Sequence, residues 1–232
     1  MVYTIFIPRR SFGTLSHFVD FSNTDLPTII YSQGWESLCD VLVTCPSKLI
    51  QEFYSNMHEF DYSVPLFVTH VRGTHIVVTP DIVSDVLCVL RVEHPDYPGC
   101  DLLKNVSKGK LISSFCKCPS NWGDCQCTSC TAFTKGPWFL NMVMTFVLHP
   151  LSHYNSITES RARFLLSLLE HLSIDFPSHF ILSIIDVHRD SVTRDKLIFP
   201  WAIKRILHHF SVPFPVSDHF NVMCAIDAAT IK

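Results

Sequence analysis

The sequence predicts a mainly α-helical domain, a compact helical bundle-like fold with one small β-hairpin and an irregular cysteine-rich loop. Segment 147–210 holds three stretches with apolar residues at helical spacing, each opened by a helix start signal. Residues 66–78 instead carry β-forming side chains around a turn. Because 47% of the 232 residues are hydrophobic and 18 are Phe, the chain can build a sizeable core.

The first of the three helices is expected to begin at Ser156, because Ser156 and Glu159 have the spacing of a capping box. Its apolar stripe consists of Phe164, Leu165, Leu168, Leu169 and Leu172. We expect the residues that flank this stripe to face water, namely Arg161, Arg163 and Glu170.

The second and third helices are predicted from proline and an N-cap. Pro177 and Ser178 open the second helix, whose apolar surface is Phe180, Ile181, Ile184, Ile185 and Val187. Pro200 opens the third, with a face made of Ile203, Ile206, Leu207 and Phe210. Short polar turns join the three helices, so we expect each to bury its stripe against the others.

The region before these helices divides into five parts. Residues 1–30 lack a clear period and are interpreted as a loosely ordered leader, followed by a single domain over 31–232. A helix is predicted over 46–58, then the hairpin over 66–78 with its turn at Arg72-Gly73-Thr74. Thr79-Pro80-Asp81 opens a helix that continues through Ile82, Val83, Val86, Leu87 and Leu90. Residues 94–137 are predicted to be an irregular loop with one helix over 107–115.

Composition and charge argue against several classes of function. The net charge is −3, from 18 Lys+Arg and 21 Asp+Glu, so there is no cationic excess to neutralise phosphates, and nucleic-acid binding is disfavoured. Only seven Gly argue against a glycine-rich phosphate-binding fold. The apolar run 138–148 is too short to span a bilayer, and no secretory signal is visible. We therefore expect an intracellular protein, in the nucleus or cytoplasm, with reduced cysteines and no membrane association.

The candidate metal site is a cysteine cluster, comprising Cys116, Cys118, Cys125, Cys127 and Cys130. Cys127 and Cys130 are followed after 18 residues by His149 and His153, a set that could supply four tetrahedral ligands to zinc. The gap is longer than in ordinary zinc fingers, and Pro150 separates the histidines. A set of four cysteines from the cluster is the alternative ligand set. The preferred interpretation is reduced loop cysteines, with no metal and no cofactor.

No catalytic motif is found in the sequence. His208 and His209 lack the Gly-x-Ser-x-Gly elbow of a hydrolase, and no P-loop or aspartic protease motif is present. Asp186, Asp190 and Asp195 could bind the metal of a nuclease, but Arg189, Arg194 and Lys196 lie among them, which is typical of a salt-bridged turn. The sequence therefore predicts that the protein is not an enzyme.

The run 149–175, which reads HPLSHYNSITESRARFLLSLLEHLSID, is followed by LIFPWAIKRILHHFSVPFP over 197–215. Together with Glu52 to Met57, Val71-Arg72-Gly73 and Pro80-Asp81-Ile82, these blocks resemble the plant transposon protein domain, a family derived from plant mobile elements. The likeness extends roughly from Trp35 to Ile226. It implies an origin and a fold, and it transfers no catalytic residue.

The function expected from the residues and the resemblance is that of a non-catalytic domain, acting as a protein-interaction or structural module with a protein partner. One alternative is a nucleic-acid-binding module of a mobile element, which would use Arg161, Arg163, Lys204 and Arg205 on helix faces. The other alternative is a structural zinc-binding domain built on the cysteine cluster.

Overall fold

The computed structural model describes residues 4–7, 17–20, 26–39, 44–117, 122, 127–149, 156–189, 196–214, 220–221 and 226–227. The helices are α1 Leu26–Gln33, α2 Glu36–Cys39, α3 Ser47–Ser55, α4 Pro80–Leu87, α5 Asp101–Asn105, α6 Lys108–Phe115, α7 Lys135–Val143, a π-helical segment Met144–Leu148, α8 Glu159–Leu169, α9 Phe176–Arg189 and α10 Pro200–His209. The strands are β1 Thr4–Ile7, β2 His17–Asp20, β3 Thr44–Cys45, β4 His58–Asp61, β5 Leu66–Val71, β6 Thr74–Val78, β7 Cys127–Ser129, β8 Ser156–Thr158, β9 Lys196–Leu197, β10 Phe220–Asn221 and β11 Ile226–Asp227. The fold is mainly helical, with small antiparallel sheets.

The chain forms two compact units. Unit 1 comprises Met1–Glu36, Val92–Thr145 and His153–Asp175, and unit 2 comprises Ser37–Arg91, Phe146–Ser152 and Phe176–Lys232. Both units are built from segments that are distant in sequence. That the region 31–232 is one domain stays a prediction.

Unit 1 is organised around α8, which packs on α5, α6, α7 and strand β8. The buried side of α8 carries Phe164, Leu165 and Leu168, as the helical spacing predicts. Strand β8 pairs with β7 in antiparallel register, with Cys127 opposite Thr158. Helix α1 packs on α7. The core of the unit is thus helix against helix, with one short strand pair at the start of α8.

Unit 2 combines the three-stranded sheet β4-β5-β6 with helices. Helix α3 packs on β5, α9 packs on β5 and α4, and α10 packs on α4. Phe53 of α3 meets Phe67 of β5 edge to face, with ring centroids 5.7 Å apart. Both rings are fully buried, so the sheet and α3 share one core.

The predicted hairpin is present as β5 and β6, with Val71 opposite Thr74. Its turn residues both have positive φ, 51° at Arg72 and 78° at Gly73. This is the backbone of a type I′ turn, which matches the twist of the two strands. The sequence-based prediction lacks the third strand, β4, which pairs with β5 across a register shift between His58 and Asp61.

Three helix starts agree with their sequence signals. Thr79 Oγ1 accepts a hydrogen bond from the Ile82 amide (3.4 Å), and Pro80 is the first residue of α4. Ser107 Oγ accepts one from the Lys110 amide (3.3 Å) at the start of α6. Pro200 begins α10.

The capping box at Ser156 is wrong. Ser156 lies in β8, opposite Ser129 of β7, and α8 begins at Glu159 with Thr158 as its N-cap. The residue that the capping-box motif assigns to the helix N-cap is therefore used in strand pairing instead. Helix α9 likewise begins at Phe176, so Pro177 and Ser178 lie in its first turn. Because α8 belongs to unit 1 while α9 and α10 belong to unit 2, the three helices are distributed between two units.

Other expectations need correction at particular segments. Leu90 lies beyond the end of α4 and is 72% exposed. Residues 94–137 contain α5, α6 and β7 within their described part, so this segment is more regular than the predicted loop. Within the predicted leader, β1 pairs with β2 and α1 begins at Leu26. Residues 1–3, 8–16 and 21–25 lie outside the described residues, and the leader as a whole stays a prediction.

Candidate functional site

Arg161 is buried in unit 1, contrary to the expectation that it faces water. Its side chain is 2% exposed, and Nη2 donates a hydrogen bond to Thr145 Oγ1 at 2.6 Å. Thr145 in turn donates to the carbonyl oxygen of Asn141 at 2.7 Å, and Asn141 Nδ2 donates to Cys130 Sγ at 3.6 Å. These four residues form a buried polar cluster between α7, the π-helical segment and α8.

The cluster contains a buried charge, that of Arg161. Burial lowers the pKa of Arg161 to about 10, against an opposing electrostatic effect of Cys130, so the guanidinium remains protonated at neutral pH. Its Nε and Nη1 have no hydrogen-bond partner among the residues that the structure describes. Burying a charge with unmade hydrogen bonds costs free energy. Because its side chain lies in the core, Arg161 cannot contact a ligand in solvent.

Arg163 connects three parts of unit 1. Its guanidinium donates to the carbonyl oxygens of Leu103, in a short contact, and of Val106, at 3.2 Å. Nη2 also pairs with Glu159 Oε1 at 2.7 Å, one turn earlier on α8. This hydrogen bond is the main reason that the pKa of Glu159 lies below its ordinary value. Arg163 thus ties the end of α5 to the first turn of α8.

A surface patch of unit 2 surrounds Tyr62, in the connection between β4 and β5. The Arg189 guanidinium lies over the rings of Tyr62 and Phe60, at 4.7 Å and 5.3 Å from their centroids. Tyr62 OH donates to Asp186 Oδ1 at 3.3 Å, and Val64, two positions further along the chain, is 62% exposed. We call these five residues the Tyr62 surface. Its partners are 124 positions apart in sequence, so no local pattern could reveal it.

The backbone under the Tyr62 surface is held by Asp61. Its Oδ1 accepts hydrogen bonds from the amides of Ser63 (2.8 Å) and Val64 (3.2 Å) and from the Ser63 hydroxyl (2.7 Å). The Ser63 hydroxyl and the two amides lower the pKa of the exposed Asp61 carboxyl. Partial burial raises the pKa of Asp186, against the opposing effects of Tyr62 and Arg189. Asp190 and Asp195, the other members of the suggested nuclease set, lie outside the described residues.

The residues suggested for zinc have other described contacts. Cys130 is buried beside Asn141, whereas His149 lies 3.4 Å from His179, measured from Nδ1 to Nε2, within unit 2. Burial lowers the pKa of His179 to about 4, against the opposing hydrogen bond to the Leu148 backbone. His153 and the Cys127 side chain lie outside the described residues. Among those described, no group of three or more His, Cys, Asp or Glu is arranged to hold a metal ion, and the zinc set stays a hypothesis.

The cations suggested for nucleic acid on α10 are half-buried. The Arg205 guanidinium lies over the Trp201 ring, 5.6 Å from its centroid. His208 stacks on Phe214 with ring centroids 4.1 Å apart. Lys204 is close enough to Cys45 for its charge to oppose the burial that raises the pKa of this thiol to about 12. These contacts place Arg205 and His208 against aromatic rings of unit 2.

The comparisons with known proteins identify one family. The family described as "Putative plant retrotransposon-related domain" matches residues 31–213, well over half of the chain. No curated protein and no solved structure matches the chain. None of the helices in the described part of the chain is long and apolar enough to cross a membrane. The match covers both α8 with its arginines and the helices of unit 2, and the chain therefore belongs to the plant retrotransposon-related family of transposon-derived proteins.

Proposed function

We propose that this protein is a non-catalytic protein-interaction or structural module of a plant mobile element. The observation that carries the proposal is the placement of its arginines. Arg161 is 2% exposed, Arg163 is bonded to two backbone carbonyls and Glu159, and Arg205 lies on Trp201. Arginines suggested for nucleic acid are thus engaged in contacts within the fold.

This placement argues against nucleic-acid binding by those residues. Affinity for a duplex comes largely from Lys and Arg that approach phosphates and release counterions. A guanidinium in the core cannot approach a phosphate without unfolding of unit 1. The net charge of −3 gives no compensating long-range attraction.

The Tyr62 surface supports contact with a protein. Tyr and Arg are enriched among the residues that dominate binding free energy at protein interfaces. Tyr62 is 42% exposed, so the ring that Arg189 covers still offers apolar area to a partner. Because Asp61 fixes the turn with three hydrogen bonds, little conformational entropy would be lost on binding.

The absence of catalysis also remains part of the proposal. Asp186 is hydrogen-bonded to Tyr62 and lies near Arg189, and both contacts oppose the burial that raises its pKa. His179 has a pKa of about 4 and would be a weak base at neutral pH. These environments favour structural roles for both groups.

Capture from plant nuclear extract, with and without nuclease, tests the proposal. We expect a partner that survives nuclease and is lost from Val64→Asp, a substitution at the Tyr62 surface. Leu90→Asp is the matched control, because Leu90 is an exposed leucine of the same unit outside that surface. A partner that disappears with nuclease would instead support the nucleic-acid-binding alternative. Equal retention by both variants would rule out the Tyr62 surface.

A further inference from the structure

Three histidine rings form a row on one face of the β4-β5-β6 sheet in unit 2. The ring centroids of His70 and His75 are 4.8 Å apart, and those of His58 and His70 are 5.2 Å apart with the planes within 10° of parallel. His70 and His75 are exposed, and His58 is partly exposed. The opposite face of β5 carries Phe67, Thr69 and Val71, all buried, so the row lies on the side of the sheet away from that core.

The strand register brings His70 and His75 together. They are directly opposite each other, one position before and after the Val71 and Thr74 pair that flanks the two-residue turn. A two-residue turn is closed by a hydrogen-bonded pair, and the next pair in an antiparallel ladder is the close, non-hydrogen-bonded kind. In such pairs the Cα atoms are only about 4.5 Å apart, and the side chains approach each other most closely.

This spacing fits two imidazoles bound to one metal ion. A metal–nitrogen bond of about 2.0–2.1 Å places each ring centroid roughly 3.2 Å from the ion. Two such rings at an angle of about 90–109° at the metal therefore have centroids roughly 4.5–5.2 Å apart. The observed separation of 4.8 Å lies within that interval.

We propose that His70 and His75 form a two-histidine chelate for a divalent transition-metal ion such as Ni²⁺, Cu²⁺ or Zn²⁺. Water completes the coordination, since both side chains face solvent. Imidazole is a ligand that suits these ions, and a rigid pair binds more tightly than two separate histidines because the second bond forms intramolecularly. This site shares no residue with the zinc set of Cys127, Cys130, His149 and His153.

Neighbouring groups favour a cation at this position. His58 stacks on His70, and its own Nδ1 lies 2.9 Å from the Asn56 carbonyl oxygen, which fixes the orientation of the stacked ring. Glu59 Oε1, 3.8 Å from His58 Nε2, adds negative charge to the row. Arg72 in the turn is paired with Glu52 at 3.3 Å, which offsets its repulsion of a metal ion.

Titration of the full chain with Ni²⁺, followed by calorimetry, tests the proposal. We expect one site per chain whose affinity falls at least about ten-fold in His70→Ala and in His75→Ala, because each variant loses the chelate. His208→Ala is the control: His208 and His209 are adjacent on α10 and point about 100° apart, which prevents chelation. Cys127→Ser should also leave this site unchanged.

A second measurement does not depend on variants. Substoichiometric Cu²⁺ added to the ¹⁵N-labelled chain should broaden the amide signals of residues 68–77 first. Unchanged Ni²⁺ affinity in both histidine variants, or broadening that begins elsewhere in the chain, would overturn the proposal.

Discussion

Arg161 and Thr145 are joined by a 2.6 Å hydrogen bond although both are almost fully buried, at 2% and 1% exposure. The threonine comes from the π-helical segment and the arginine from the first turns of α8. The bond therefore links Thr145 to α8 within unit 1 through a buried charge. The effect of Arg161 on the free energy of unfolding depends on whether hydrogen bonds within the protein replace those that its guanidinium would make with water.

Replacing Arg161 separates the roles of charge and volume. We expect Arg161→Met to leave the free energy of unfolding within about 1 kcal/mol of the parent, because it removes two unpartnered donors together with one hydrogen bond. Arg161→Ala should lower it by about 2–4 kcal/mol, because it leaves a cavity. Urea unfolding of both variants provides the comparison. Equal losses in the two would mean that the charge itself is needed.

The contribution of Arg163 to the free energy of unfolding should depend on the shape of its side chain as well as on its charge. We expect both Arg163→Ala and Arg163→Lys to lower the free energy of unfolding by about 1–3 kcal/mol, because an ammonium cannot bond Leu103, Val106 and Glu159 together. Ser156→Ala is the contrasting change on the same element. It should cost less than about 0.5 kcal/mol, since Ser156 lies in a strand and does not cap α8. A stable Arg163→Lys variant would show that charge alone suffices.

Two adjacent leucines of α8 provide a matched pair. Leu168 is fully buried and Leu169 is partly exposed, although both belong to the predicted stripe. We expect Leu168→Ala to cost about 2–5 kcal/mol and Leu169→Ala distinctly less. Chemical denaturation measures both values. An unchanged midpoint for Leu168→Ala would contradict the packing of α8 in unit 1.

Acid should destabilise unit 2 through His179. Its folded-state pKa of about 4 lies below the ordinary 6.5, chiefly because of burial, while His149 lies beside it. The unfolded chain therefore binds a proton first as pH falls, and stability present above pH ~6.5 decreases towards pH ~4, by up to about 3 kcal/mol. Stability of His179→Gln measured across this range should fall less steeply. His209→Gln, an exposed control, should follow the parent.

Local chemistry accounts for what the sequence predicts well. Thr79-Pro80, Ser107 and Pro200 act through the first turn of their own helices, and Arg72-Gly73 acts through the turn of its own hairpin. The failures involve partners distant in sequence. Ser156 carries a valid capping signal, but pairing with β7 takes precedence.

The candidate sites were the least predictable features. Burial of Arg161 depends on Thr145 of another helical segment, and the Tyr62 surface depends on α9. The contact between His149 and His179, which are 30 positions apart, likewise produces no periodic pattern in the sequence. The pairing of His70 with His75 is nearly within reach of the sequence, because counting outward from the observed two-residue turn finds it. The predicted turn includes Thr74 and would instead pair Val71 with His75.

Binding to DNA tests the proposed function most directly, because the contacts that the arginines make within the fold are expected of a protein-interaction module and not of a nucleic-acid-binding one. Labelled duplex of mixed sequence should be titrated with the full chain at about 0.15 M salt, where we expect a Kd weaker than roughly 10⁻⁶ M. Nanomolar binding that weakens steeply with salt, and that is lost when Lys204→Ala and Arg205→Ala are combined, would contradict the proposal.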